Sequence, residues 1–278
     1  MQNRLKLGIF DSGVGGLSVF QKASELFPHA DIEYLADTKR YPYGEKEEKQ
    51  VAGYIREISL FFEKRKCNAL IIACSTASGI FEKDKKLLKQ SFSGRIVSML
   101  NASLCQEVDN VSKNRKIGIL STRLTKKVNQ FSIFLKKYIP NIDIFINAAP
   151  DLVERVTNGQ TRGKETLLVA RSYLEPLFQE HVDTLVIGCT HFHFIHSVLK
   201  DLCGEEVSLV APAPVSVNHL KTALGCAADE TSHRQTVRFF ATGRVKDFYR
   251  QAKEIAGLNY PLEQYHEISL SPLAESSN

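Results

Sequence analysis

The 278-residue chain contains no tryptophan and no C-x-x-C pair. No apolar stretch approaches the roughly 20 residues that span a bilayer, so no membrane partner is expected. The six cysteines, Cys67, Cys74, Cys105, Cys189, Cys203 and Cys226, show no tight disulfide framework in a chain this long. Met1-Gln2-Asn3-Arg4 runs straight into a strand-like segment with no signal-peptide core. A reducing cytoplasm with free thiols is the expected setting. The net charge is +5 and no basic run is long. Lys83, Lys85, Lys86 and Lys89 alternate with Glu82 and Asp84 and read as a solvated helix face. This balance would attract small anions but gives no reason to expect nucleic acid as a partner. The glycine-rich segment near the N-terminus lacks the G-x-G-x-x-G spacing of dinucleotide sites and the Gly-Lys-Ser/Thr of a P-loop.

Against these absences stand two short motifs that echo each other. Ala73-Cys74-Ser75-Thr76 follows the apolar run Ala69-Leu70-Ile71-Ile72, and Gly188-Cys189-Thr190-His191 follows Leu185-Val186-Ile187. In each, a β-like segment stops at a cysteine followed by a hydroxyl residue. Two thiols delivered from separate halves of a chain can face one small substrate from opposite sides. Such a pair can take a proton from one face of a carbon and return it on the other.

The rest of the chain alternates strand-like and helix-like segments. Strand candidates are Leu5 to Phe10, Ile32 to Ala36, Leu70 to Ala73, Ile96 to Leu100, Ile117 to Leu120, Ile142 to Ile146, Leu185 to Ile187, Val207 to Val210 and Thr236 to Thr242. Between them, Val51, Ile55, Ile58 and Phe62 mark one face of a helix from about Lys46 to Lys64. Further helices are expected from the first cysteine motif to about Lys89, over Thr125 to Tyr138, and over Glu165 to Glu180, with Pro176 as a kink or division. The last helix is expected over Val245 to Ala256, and a frayed polar tail from Ser269. This alternation predicts an α/β fold with mainly parallel sheets. In such sheets sites form beyond the carboxyl ends of strands. Asp11, Cys74, Thr122 and Cys189 all lie just after strand-like runs. The likeness of the two cysteine segments hints at an internal duplication.

Each motif also has a bland alternative. Asp11-Ser12-Gly13-Val14-Gly15-Gly16 is a tight strand-to-helix turn in which Asp11 or Ser12 could cap the helix. Asp37 to Gly44 is a loop by its Pro and Gly content, able to lay N–H groups and a phenol against a carboxylate. A buried cysteine is usually a small hydrophobe, and Cys67, Cys105, Cys203 and Cys226 are read that way. The matched setting of Cys74 and Cys189, each where a following helix can lower a thiol pKa, favours chemistry. Cys189, His191, His193 and His196 admit zinc, but their spacing spreads the side chains and no second cysteine pair completes a site, so no metal is expected. His191 is better placed as acid or base partner to Cys189. His193 and His196 are expected at the surface or an interface.

Taken together, these segments resemble the glutamate racemases of the aspartate/glutamate racemase family. The matching pieces are Gly8-Ile9-Phe10-Asp11-Ser12-Gly13-Val14-Gly15-Gly16-Leu17-Ser18-Val19, Ala36-Asp37-Thr38 with Pro42-Tyr43-Gly44, Ala73-Cys74 with Thr76-Ala77, and Gly188-Cys189-Thr190-His191. Weaker echoes are Ile117-Gly118-Ile119 with Thr122 and Thr125, Leu152-Val153-Glu154, and Phe240-Ala241-Thr242-Gly243. The resemblance implies two similar α/β domains facing each other across a cleft, one formed by residues 1–98 plus 211–278 and the other by 99–210. It implies interconversion of L- and D-glutamate without a cofactor, supplying D-glutamate for peptidoglycan, and a possible homodimer. Cys74 would deprotonate D-glutamate and Cys189 L-glutamate. Asp11 would tune Cys74, and Glu154 and His191 would tune Cys189. Asp11, Ser12, Tyr43, Gly44, Ser75, Thr76, Thr122, Thr125, Thr190 and His191 would hold the substrate.

The sequence departs from the family pattern in four places. Ser75 stands where asparagine is usual, which loses an amide donor pair. Phe192-His193 replaces Tyr-Pro, which removes a rigid turn and is expected to loosen the loop. Asn101-Ala102 stands for an acidic residue and proline, and Ala211-Pro212 for an Asp-Ser pair. These departures leave two alternatives: racemisation of aspartate or another acidic amino acid, or a ligand-binding homologue with weak or no turnover.

Overall fold

The computed structural model describes residues 4–86, 91–225 and 234–270. Its strands form two wholly parallel sheets. The first has the order β10-β9-β2-β1-β3-β4, with β1 Lys6–Asp11, β2 Asp31–Ala36, β3 Ala69–Ile72, β4 Arg95–Ser98, β9 Thr236–Ala241 and β10 Tyr265–Glu267. The second has the order β6-β5-β7-β8, with β5 Lys116–Ser121, β6 Asp143–Ala148, β7 Thr184–Gly188 and β8 Ser208–Val210. Counted from its own first strand, the second sheet repeats the arrangement β2-β1-β3-β4 of the first. The architecture is therefore two α/β units of one topology, and each cysteine motif follows the third strand of its unit.

The strands read as near-continuous apolar runs because both faces of each sheet are covered. In β1, Leu7 and Ile9 face a core shared with the helices Leu17–Leu26, Pro212–Leu224 and Val245–Glu254. Phe10 faces the other side, against the helices Glu48–Lys64 and Ser75–Lys83. In the second sheet, Leu120, Leu185 and Ile187 pack on Pro150–Thr157, Lys164–Phe178 and His196–Cys203, while Ile117, Ile119 and Val186 pack on Ala102–Val111 and Gln130–Tyr138. Cys67, Cys105 and Cys203 are buried free thiols in these cores, as expected of packing residues. Cys226 lies outside the described residues.

Several elements differ from the sequence expectation, each for a local reason. The helix expected over Thr125 to Tyr138 is two helices, Arg123–Val128 and Gln130–Tyr138, divided at Asn129, which adopts a left-handed conformation with φ 58°. Asparagine tolerates that conformation better than most residues. The helix after Cys74 ends at Lys83, and residues 87–90 lie outside the description. Pro176 does not divide Lys164–Phe178, because it sits in the last turn. The short edge strand β10 precedes the polar tail, of which 271–278 are not described.

Two departures from the family pattern become structural. Asn101 caps Ala102–Val111, its side chain accepting from the Leu104 N–H at 3.1 Å, and its amide donates to Ser98 O at 2.9 Å and to Ser216 Oγ at 2.7 Å. It thereby ties the chain's crossing between the sheets to Pro212–Leu224. Pro212 occupies the first turn of that helix, where its missing N–H leaves nothing unsatisfied.

Candidate active site

The register of the sheets gathers the site. Within the first sheet β1 lies between β2 and β3, with Asp11 opposite Ala36 and Phe10 opposite Ile72. Within the second, Ser121 pairs with Gly188. Adjacent strand ends thus carry Asp11 and Cys74 on one side, Thr122 and Cys189 on the other. Strand order reverses at β1 and at β5, which opens a crevice at the carboxyl ends of each sheet.

Cys74 is the residue before the first turn of Ser75–Lys83 and is 5% exposed. Its Sγ lies 3.9 Å from Ser12 Oγ. Burial first, and then the Asp11 charge, push this thiol up to about 12, against the opposing pull of the Ala77 and Thr76 N–H groups and the Ser12 hydroxyl. Cys189 precedes a 3-10 turn, Thr190–Ile195, and is equally buried. Its Sγ lies 3.9 Å from His191 Nδ1. Burial drives its pKa still further up, opposed by the His191 N–H, while Cys74 and Asp11 add to the rise. Each sulfur therefore receives N–H groups from the residues two and three positions on, at the start of a helical turn. Each is held as a neutral thiol by burial.

Asp11 joins the two units. It is fully buried at the end of β1. The Gly13 N–H donates to Oδ1 at 2.9 Å, and the Thr190 hydroxyl, from the other unit, donates to Oδ2 at 2.9 Å. Burial raises its pKa to about 6, the largest effect on it, and these hydrogen bonds hold it lower than burial alone would. It serves as a junction rather than a helix cap, since the Leu17–Leu26 helix has no side-chain cap. Gly15 permits the junction: a Cβ there would fall 2.5 Å from Thr190 Oγ1 and 2.6 Å from His191 Nδ1.

Three hydroxyls form a second link. Thr76 Oγ1 lies 3.0 Å from Thr122 Oγ1 and 2.9 Å from Thr125 Oγ1, and the Thr122 hydroxyl donates to Thr125 at 2.9 Å. Thr76 comes from the first unit and the other two from the helix that follows β5. Gly44 abuts the same triangle, because a Cβ on it would lie 2.7 Å from Thr122 Cβ. Ser75 is buried and faces Cys189 and Thr190 across a cavity of about 10 Å³, on the scale of one water.

His191 is buried, with burial lowering its pKa to about 4, so its ring is neutral. Its Nε2 has no hydrogen-bond partner, and the ring borders a cavity of about 240 Å³ beside Tyr41 and Gln251. Replacing Tyr-Pro has not loosened this segment. Phe192 is fully buried, its N–H bonds to Cys189 O at 3.1 Å, and the 3-10 turn is continuous. His193 and His196 are half-buried, with ring centroids 6.0 Å apart. Among the described residues, no three His, Cys, Asp or Glu side chains are grouped to hold a metal ion.

Glu154 approaches the site from the side of Gly44 and Thr122. On Pro150–Thr157 the core-facing positions belong to Leu152, Val153 and Val156. Glu154 falls on the outward face, exposed, on the wall of a cavity of about 460 Å³ that it shares with Tyr41, Gly44 and Thr122 of the site and with Arg123 and Asp151. Tyr43 is close by, but its phenol is committed to Asp37 rather than free for a ligand.

A family model described as Asp/Glu/Hydantoin racemase matches residues 18–220. The chain belongs to this family. A glutamate racemase from Gloeobacter violaceus is 31% identical over 274 residues, 96% of this chain and 97% of that one. The crystal structure of a glutamate racemase isoform from Bacillus anthracis matches with a TM-score of 0.88 at 26% identity, covering 97% of this chain and 99% of the other. The glutamate racemase from Francisella tularensis subsp. tularensis, solved in complex with D-glutamate, matches with a TM-score of 0.85 at 25% identity and the same coverage.

Two further side chains shape the site of this racemase. Asp37, fully buried at the end of β2, holds Arg40, Tyr43 and Thr242. Tyr41 crosses between the units, its hydroxyl 2.7 Å from Thr157 Oγ1 and its ring centroid 5.5 Å from that of His191. Asp37 stands in the family piece Ala36-Asp37-Thr38 and Tyr41 in the loop that follows it, but no role is read for either from the sequence.

Proposed function

We propose that this racemase interconverts L- and D-glutamate by proton transfer at Cα between Cys74 and Cys189, with no cofactor, and that it supplies D-glutamate for peptidoglycan synthesis in the cytoplasm. The observation that carries the reading is the pair of buried thiols, each at the end of the third strand of its own unit, with Asp11 and Thr190 linked between them. The D-glutamate named in the Francisella structure supports the choice of substrate.

In this reading, the thiol that starts as thiolate removes the Cα proton, and the other delivers a proton to the opposite face. Cys74 acts on D-glutamate and Cys189 on L-glutamate. The Cα proton is weakly acidic, so the developing charge on the carboxylate needs fixed donors in a site closed to water. Thr76, Thr122 and Thr125 offer three hydroxyls that now satisfy one another and would turn to the substrate carboxylate. Burial opposes any thiolate. The substrate's α-ammonium is a cation brought in with the ligand, and it favours ionisation of the thiol beside it. Asp11 and neutral His191 flank the two sulfurs as proton acceptors.

The test is incubation with L-glutamate in heavy water without added cofactor, read by proton NMR and chiral analysis. The expected product is D-glutamate carrying deuterium at Cα. Absence of Cα exchange with either enantiomer would overturn the proposal, and exchange with aspartate in place of glutamate would reassign the substrate.

A further inference from the structure

Asp37 lies outside the catalytic cluster, yet it is fully buried and unusually well supplied with donors. Its Oδ2 accepts from Arg40 Nε at 2.6 Å and from the Tyr43 hydroxyl, and its Oδ1 accepts from Thr242 Oγ1 at 2.6 Å. Its own N–H bonds to Asp11 O at 2.9 Å. Arg40 is held in turn by Glu57 on the helix Glu48–Lys64, and its guanidinium lies 4.1 Å from the Tyr54 ring centroid. One carboxylate thus ties together the ends of β2 and β9, the long helix, and the 3-10 turn Tyr43–Glu45. Gly44 in that turn is the residue pressed against Thr122 of the other unit.

Building on the racemase reading above, we propose that Asp37 is a positioning residue, which through the Tyr43 phenol holds the Tyr43–Gly44 turn against the Thr76, Thr122 and Thr125 hydroxyls and so sets the substrate-carboxylate side of the site. A buried carboxylate needs donors for its oxygens, and a buried phenol needs an acceptor. The two requirements meet in one bond, and that bond fixes the turn. Burial and the Asp37 charge both push the Tyr43 phenol well above its usual range, so it stays protonated and remains a donor. Tyr43 is 1% exposed, and its hydroxyl is spent on Asp37. The turn therefore has its backbone and Gly44, not the phenol, to offer a ligand.

A residue that sets only where the carboxylate rests acts on substrate binding, while one that merely stabilises the fold does not change KM. The experiment compares wild-type, Tyr43→Phe, Asp37→Asn and the double variant in the deuterium-exchange assay, with thermal unfolding run beside it. Tyr43→Phe is expected to raise KM about fivefold and Asp37→Asn about tenfold, with kcat changed less than about twofold. The double variant is expected to match Asp37→Asn alone, since both changes cut the same link. If Asp37→Asn does not fold, Thr242→Val, which removes another donor to Asp37, replaces it and is expected to raise KM in the same way. Unchanged KM in the folded variants, or KM effects that multiply in the double variant, overturns the positioning role. Absence of Cα exchange in the wild-type protein overturns the racemase reading itself and is seen before any variant is compared.

Discussion

The two units share a strand order, and each delivers a cysteine after its third strand, but they surround that cysteine differently. Cys74 sits at the head of a nine-residue α-helix, with Ser12 and Asp11 beside it. Cys189 sits before a 3-10 turn, with His191 as its neighbour and with Cys74 and Asp11 acting on it from the other unit. The backbone frame is common: a strand end, then a turn aiming N–H groups at sulfur. What differs is the second ring of side chains, an acid on one side and an imidazole on the other. A duplicated scaffold can therefore present one type of reacting atom twice while tuning each copy separately.

The largest effect should come from removing either thiol. Cys74→Ala and Cys189→Ala are each expected to lower racemisation by ~10³-fold or more. They should differ in what survives. With Cys189 alone, slow Cα exchange from L-glutamate without inversion should persist and exchange from D-glutamate should vanish; with Cys74 alone the pattern should reverse. Proton NMR in heavy water on each enantiomer reads this directly. Loss of the same enantiomer's exchange in both variants would break the assignment of one thiol to each face.

Asp11 tests whether the asymmetry lies where the neighbours say it does. Its charge is the largest electrostatic cause raising Cys74 but ranks behind Cys74 itself at Cys189. Asp11→Asn removes that charge and should lower the Cys74 thiol pKa more than the Cys189 one. Activity should fall by about tenfold to a hundredfold as the link to Thr190 weakens. Thiolate absorbance, titrated with the other cysteine replaced by alanine, provides the measurement. Equal shifts at the two sulfurs would show that they share one field.

Acid should act on the two sides with opposite sign. His191 has a folded pKa of about 4 against the usual 6.5, so the stability it contributes is present above 6.5 and is lost as pH falls through about 4. Asp11 has a folded pKa of about 6 against 3.8, so its contribution is fully present below 3.8 and is lost as pH rises through about 6. Each shift corresponds to about 3 kcal/mol. His191→Asn should make the protein less sensitive to acidification from pH 7 to 4, and Asp11→Asn more sensitive. Urea unfolding at the two pH values checks both, and a shared direction would contradict the opposed burial of these two groups.

Much of this arrangement is legible in the sequence because strand ends and glycines leave short, ordered signals. Asp11, Cys74, Thr122 and Cys189 follow apolar runs, and in a parallel sheet that placement alone sends each to the carboxyl end of its own sheet. The threonine triangle and the Asp11–Thr190 bond are not legible, because they depend on how two units dock. Glu154 shows how far a motif reaches: its helix spends Leu152, Val153 and Val156 on the core, and position 154 is left on the wall of the cavity it shares with Gly44 and Thr122. Phe192 shows the reverse. The loss of a proline suggests a looser turn, yet full burial of the aromatic ring supplies the rigidity by packing. Asp37 stands in a family-like piece of sequence, but its role is not legible there, because a loop residue with Pro and Gly nearby reads as surface until its three donors are found around it.

The smallest effect is expected at Ser75, the point where the first unit faces Cys189 across a cavity of about 10 Å³. Asparagine there would replace one hydroxyl with an acceptor and two donors, and its longer side chain would reach further toward the space a substrate fills. The residue is 3% exposed, so the extra atoms have little room beyond that space. With substrate bound, the amide gains a ligand; without it, the amide crowds Thr190. The expected result of Ser75→Asn is a KM lowered about two- to fivefold with kcat nearly unchanged, together with a melting temperature equal to or slightly below wild type. Steady-state exchange kinetics and thermal unfolding, with and without glutamate, separate the two terms. A raised KM would mean that the Cys189 side has closed around serine, and that the contrast between the units extends to how each accommodates the ligand.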